Sequence, residues 1–274
     1  MLKWINLPNL EAAAEDTKEV FQKALPFKHL VLDDLVEAGK VSQLCKAFPE
    51  KEWDGWTDVG HEHQFKKSIC KQVDLMPDSF SELVSELNSG PFIKWLESIT
   101  GVKNILPDPN LFGGGLHLTG IGGTLTPHID FHVVKGFPLF RRINLILYLN
   151  EGWEESDGGQ LELWDKAKDE ISIKVPSVAG RCVVFLTDSV SLHGFTTPVA
   201  NKSRKSVAMY YYTAEDAEKF GGDEETYWRS DSISKEGGGG DRRRLIMQRL
   251  FLGGARISSG ISWRLKALAS KYSK

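Results

Sequence analysis

Along the first hundred residues, apolar and polar positions recur mostly at helical spacing. The run LEAAAEDTKEVFQKAL over 10–25 is rich in helix formers and stops before Pro26, which predicts an opening helix. HLVLDD follows as a short strand. LVEAGKVSQLCKAF carries apolar residues three and four apart, and DSFSELVSELNSG sets an Asp or Ser cap before a second periodic run closed by Gly90. From about Leu111 the pattern shifts to short apolar runs bounded by turns: LFGGGLHLTG, INLILYLN, GGQLELWD, ISIKV, RCVVFLT and SVAMYYYT. That spacing predicts an antiparallel sandwich, barrel or jelly roll, buttressed by the preceding helices. After Thr213 the pattern changes again. The run Gly237 to Gly240 precedes Arg242, Arg243 and Arg244, which predicts a flexible hinge followed by a basic segment. The expected organisation is therefore an N-terminal helical support over 1–110, a β core over 111–215 and a C-terminal extension over 216–274. The fold class is mainly β with helical support (α+β).

Composition narrows the function. The chain has 274 residues, of which 41% are hydrophobic, enough for a sizeable core. A formal net charge of -3 gives no global attraction to nucleic acid or an anionic membrane, so neither is an expected partner. Basicity is local: residues 241–274 hold nine Lys or Arg against one Asp, making the tail a candidate contact for a second copy or a partner. Three cysteines, Cys45, Cys70 and Cys182, lack zinc-site or disulfide-framework spacing, which points to a reducing, cytoplasmic setting. The start MLKWINLPNL has no apolar h-region, and no apolar run approaches the roughly 20 residues of a membrane span.

The chemistry is concentrated in TPHIDF, residues 126–131. A strand points residues i and i+2 to one side, so His128 and Asp130 can aim at a single point. His193, in DSVSLHGFTTP after the apolar strand RCVVFL, is the best candidate for a third ligand. Two imidazoles and a carboxylate on one face leave the opposite face of an octahedral ion open, as non-haem Fe(II) oxygenases require. Eleven residues after His193 comes Arg204, with Ser206 on the same strand face. A guanidinium forks two hydrogen bonds onto a carboxylate and a serine hydroxyl adds a third, so the pair suits the far end of an anionic cosubstrate.

These residues resemble the Fe(II)/2-oxoglutarate dioxygenases of the prolyl 4-hydroxylase type, including the hypoxia-type prolyl hydroxylases. The likeness runs from about Gly113 to Thr213 through PHIDF, RRINLILYLNEGWEESDGGQLELWD, GRCVVFLTDSVSLHGFTTP and RKSVAMYYYT. It implies a double-stranded β-helix, a jelly roll of cupin-like form. It makes His128, Asp130 and His193 the iron ligands and Arg204 the partner of the 2-oxoglutarate C5 carboxylate, with Tyr148 reaching the same carboxylate. Where hypoxia-type enzymes carry a tyrosine before the first metal histidine, this chain has Leu118, flanked by His117 and Thr119. Implied cofactors are Fe(II), 2-oxoglutarate and O2, with ascorbate as an optional stimulant. The implied reaction hydroxylates an unactivated C–H bond of an amino acid, free or peptide- or protein-bound, releasing succinate and CO2. An acid at 130 rather than a small residue argues for hydroxylation over halogenation.

Three rival classes remain at this level: an oxygenase tailoring a small natural-product intermediate, a non-catalytic jelly-roll binding protein, and a cupin-like metal enzyme without cosubstrate. Arg204 and Ser206 speak against the last. Substrate-contact candidates are His132, Arg142 and His117; of Arg141 and Arg142, strand alternation lets only one point inward. His61 and His63 read as solvated loop residues unless that loop folds over the cavity.

Overall fold

A computed structural model describes residues 2–134, 137–214 and 225–229. The helices are α1 (Leu7–Ala12), α2 (Ala14–Lys23), α3 (Ala38–Ala47), α4 (Asp78–Leu87) and α5 (Gly90–Thr100). The expected opening helix is thus split at Ala13, and α2 buries Phe21. The sequence reading passed over α5. Its Pro91 suits the first helical turn, left-handed Gly101 ends it, and buried Phe92, Ile93, Trp95, Leu96 and Ile99 recur at helical spacing opposite exposed Lys94 and Ser98. Gly90 opens this helix as well as following α4.

The strands are β1 (His29–Leu32), β2 (Thr57–Asp58), β3 (Lys67–Cys70), β4 (Leu106–Pro107), β5 (Gly115–Thr119), β6 (Leu125–Ile129), β7 (Leu139–Tyr148), β8 (Leu161–Asp165), β9 (Glu170–Val175), β10 (Cys182–Leu186), β11 (His193–Phe195), β12 (Arg204–Ala214) and β13 (Tyr227–Trp228). Among the described residues they form two antiparallel sheets. The larger runs β1-β10-β7-β12-β5-β3-β2 with β4 on β12, and the smaller runs β13-β6-β11-β8-β9. Four strands of the larger sheet, β1, β2, β3 and β4, come from the 1–110 stretch expected to be a helical support.

Strand alternation sorts the side chains. Leu116, Leu118, Ile143, Leu145, Leu147, Val184, Val207, Met209 and Tyr211 join α-helical residues such as Leu83, Leu87, Phe92 and Leu96 in one core. Residues of opposite parity face the smaller sheet: Tyr148, Val183 and Phe185 meet Leu161, Leu163 and Val175 in a second cluster. One face of the larger sheet therefore buries helices while the other closes onto the smaller sheet. This is the expected jelly-roll double-stranded β-helix. Among the described residues no helix is long and apolar enough to cross a membrane. The anticipated glycine hinge and basic tail lie outside the described residues; of the stretch 216–274 only 225–229 is described, and there β13 pairs with β6.

Candidate active site

The open end between the sheets holds a cavity of about 340 Å³. His128 lies on β6 and His193 on β11, directly opposite each other in the antiparallel register, and Asp130 follows β6. The three offer ligand atoms all within 4.8 Å of one another, and all three residues are buried. Each imidazole is oriented by the carbonyl two residues before it: His128 Nδ1 donates to Thr126 O at 3.0 Å and His193 Nδ1 to Ser191 O at 2.9 Å. A carbonyl can only accept, so Nδ1 carries the proton and Nε2 is left bare to bind a metal. The bare nitrogens face the carboxylate, with His128 Nε2 3.5 Å from Asp130 Oδ1 and His193 Nε2 4.0 Å from Oδ2.

Electrostatics favour the ligating forms. Burial, and then the nearby His128, push the His193 imidazole down to about 4, which keeps it neutral. Burial alone would raise Asp130, but His128, His193 and Arg141 outweigh it and hold the carboxyl well below the usual range. Asn144 on β7 donates from Nδ2 to Asp130 Oδ2 at 3.2 Å, and Arg141 Nη1 lies 3.8 Å from Oδ1. Two imidazoles and one carboxylate, buried at a cavity wall, are a donor set that fits Fe(II).

Farther along β12, Arg204 and Ser206 both line the cavity, while Lys205 points away to Glu50 at 2.9 Å. Arg204 donates from Nε to Gly159 O at 2.9 Å and Ser177 Oγ at 3.1 Å, and from Nη2 to Tyr148 Oη at 3.0 Å. All three partners are neutral. Arg204 has no acidic partner among the described residues, so a buried guanidinium waits for an anion. The GG of the sequence motif is explained here. A Cβ on Gly158 would lie 2.0 Å from Pro198 O, and one on Gly159 3.1 Å from Arg204 Cδ, so only glycines, both at positive φ, let this loop approach the clamp.

The remaining sequence candidates divide. His117 lines the cavity opposite Ser206, its Nε2 buried without a hydrogen-bond partner; burial and then the neighbouring Lys67 and Arg204 keep it well below the normal histidine range. His132 is buried outside the ligand cluster and cavity wall, its carbonyl accepting from Arg141 N at 2.8 Å. Arg142 is a correction: Arg141 takes the cavity position. Tyr211 faces Ile143 while Tyr212 faces Arg141, so Arg142 is the extra residue of a bulge that flips the alternation. Arg141 is held flat between Phe131 and Tyr210, its Cζ 3.8 and 3.6 Å from their ring centres. The GHEHQF loop does fold over the cavity. His61 lines it, and His63 stacks on Trp228 at 4.6 Å, which in turn stacks on His128 at 4.8 Å. Ser177, Asn144, Trp228 and Lys67 were not anticipated. Asn144 and Lys67 share parity with cavity-facing neighbours, but no sequence signal tells which face of β3 or β7 meets the second sheet.

Residues 114–212 match the profile of the 2OG-Fe(II) oxygenase superfamily. Among solved structures, a Pseudomonas putida prolyl-4-hydroxylase is 20% identical with a TM-score of 0.51, the match covering 72% of this chain and 98% of that one. A Trichoplax adhaerens prolyl hydroxylase, solved with a hypoxia inducible factor peptide fragment, is 15% identical at a TM-score of 0.53, over 75% and 91% of the two chains. HygX from Streptomyces hygroscopicus, solved with nickel, 2-oxoglutarate and hygromycin B, is 11% identical at 0.51, over 77% and 96%. At these identities the likeness speaks for the fold, while the profile covers the strands that carry the His-Asp-His cluster and the arginine clamp. A donor set that fits Fe(II) and a buried guanidinium with no acidic partner among the described residues thus share one jelly-roll cavity, within the segment 114–212 that matches the 2OG-Fe(II) oxygenase superfamily profile.

Proposed function

We propose that the protein hydroxylates an unactivated C–H bond of an amino acid, free or within a peptide, with His128, Asp130 and His193 holding the iron and Arg204, Tyr148 and Ser206 receiving the far carboxylate of 2-oxoglutarate. The observation that carries this reading is the pairing, in one cavity, of a buried two-histidine, one-carboxylate cluster with a buried guanidinium that has no acidic partner among the described residues. When bound, iron and cosubstrate supply the oxidising power, making dioxygen an oxidant for C–H bonds as 2-oxoglutarate loses CO2 to give succinate. The chain's own contribution is geometric. The carbonyls of Thr126 and Ser191 fix which nitrogen of each imidazole is free, and Asn144 turns the Asp130 carboxylate toward the metal. Leu161, Phe195 and Ile146 give the same cavity an apolar wall that would exclude water.

For the substrate, Arg141 lines the cavity beside Asp130, a guanidinium suited to an amino-acid carbonyl or carboxylate. The prolyl-hydroxylase likenesses support an amino-acid target. A natural-product substrate is the second reading, supported by the HygX likeness and by the aromatic rim of Phe112, Phe131, Tyr210 and Trp228. A cytoplasmic setting is consistent with three free cysteines. The decisive experiment adds Fe(II) and 2-oxoglutarate without oxygen and looks for the weak visible band of the chelate, then admits oxygen and measures succinate with amino acids, peptides and small ring compounds. Iron-loaded, folded protein that gives neither band nor succinate would be a jelly-roll binding protein instead.

A further inference from the structure

Lys67 is the charged cavity residue that the assignments above leave unused. The residues lining the cavity include three cations, Lys67, Arg141 and Arg204, against one carboxylate, Asp130. Arg141 lies 3.8 Å from that carboxylate, which leaves Lys67 and Arg204 without neutralisation. Among the described residues the Lys67 ammonium has neither a hydrogen bond nor an ion pair, although the residue is half-buried at the cavity wall. Desolvation first, and then repulsion from Arg204, push it down to about 8, partly offset by Asp130. A partly desolvated ammonium beside a second cation is unfavourable in the empty protein, and an anion placed between them offsets both the desolvation and the repulsion.

The register shows where that anion would sit. Lys67 on β3 pairs with Thr119 on β5, and Thr119 pairs with Arg204 on β12, so the three form one row across the larger sheet. All three line the cavity. Neighbouring strands lie about 4.8 Å apart, so the roots of Lys67 and Arg204 are roughly 10 Å apart and two long side chains can converge over the Thr119 hydroxyl between them. This row is at the clamp end: on β12, Ser206 and Ala208 separate it from Tyr210, which faces the Asn144 that holds Asp130.

We propose that Lys67 is a second cation of the cosubstrate site, its ammonium sharing the far carboxylate of 2-oxoglutarate with Arg204 over Thr119. The proposal rests on the cosubstrate reading above. Two charges then select a dicarboxylate over a 2-oxo monocarboxylate. The sequence offers no warning of this, because Lys67 lies in FKKSICKQ, more than a hundred residues before Arg204, in a stretch that reads as a polar connection.

The test measures equilibrium binding by calorimetry on protein loaded with Zn(II), which holds the site without turnover. The probes are 2-oxoglutarate and the monocarboxylate 2-oxobutyrate. Lys67→Met should weaken 2-oxoglutarate by about 10- to 100-fold and change 2-oxobutyrate by less than about two-fold, while Lys67→Arg keeps most of the affinity. The unliganded Lys67→Met protein should melt no lower than the parent, because an unpaired, partly desolvated charge is removed. If Lys67→Met binds 2-oxoglutarate normally while Arg204→Met does not, the proposal fails, the cosubstrate reading stands and Lys67 is left to an anionic group of the substrate. Equal loss of both probes also overturns it, since that places the effect at the metal. If the unaltered protein binds no 2-oxoglutarate, the cosubstrate reading itself is lost.

Discussion

Replacing Arg204 and Lys205 separately, one residue apart on β12, probes the cosubstrate assignment more sharply than loss of a metal ligand would. Arg204→Met removes a 6% exposed guanidinium together with its bonds to Gly159 O, Ser177 Oγ and Tyr148 Oη. In the loaded enzyme the far carboxylate would then lose its forked partner and keep only the Lys67 ammonium, a loss of about 2 to 5 kcal/mol. This corresponds to roughly 30-fold to several-thousand-fold in 2-oxoglutarate affinity. The unloaded protein should lose far less. Three hydrogen bonds to neutral groups go, but so does an unneutralised buried charge, so the melting temperature should move by only a few degrees. Lys205→Ala breaks a pair with Glu50, which is largely exposed, and such pairs contribute about 0 to 1 kcal/mol. Its 2-oxoglutarate affinity should match the parent's. The assay is the ligand-induced rise in melting temperature across a 2-oxoglutarate titration, with Zn(II) present throughout. A normal titration for Arg204→Met, or a crippled one for Lys205→Ala, would refute the assignment of this strand face to the cosubstrate.

Three further outcomes are expected. His193→Ala should fold but lose Fe(II) affinity and turnover, as read by metal content after gel filtration; retained iron would put the third ligand elsewhere. Asn144→Ala should lower Fe(II) affinity by about 10- to 100-fold, the usual effect of losing a group that orients a ligand, without altering metal-free stability by more than about 1 to 3 kcal/mol. Raising the pH through about 8 should weaken 2-oxoglutarate binding as Lys67 loses its proton, and Lys67→Met should flatten that dependence. In the same range the unliganded protein should gain stability from this group: the folded state releases the proton near 8 and the unfolded chain near 10.5, so the unfolded state binds more protons between them and stability rises with pH.

The His-Asp-His cluster was legible in the sequence because its signals are local. The i, i+2 spacing of His128 and Asp130 places both on one side of a strand, and the turn after RCVVFL puts His193 within reach of it. Arg204 and Ser206 share parity on one continuous strand, so their common face was equally readable. The alternation of short apolar runs likewise set the β architecture, because each run needs one buried face. Reading failed where a neighbour, not the local pattern, decides. The choice between Arg141 and Arg142 turned on a bulge opposite Tyr211 and Tyr212, a feature of strand pairing that neither strand encodes alone. Lys67 entered the cavity only because β3 adds to β5, which sets it two strands from Arg204 in the sheet though far from it in the chain. Strand parity is written into the chain; sheet order and bulges arise from which strands can bury their faces together, and they decided which charges meet.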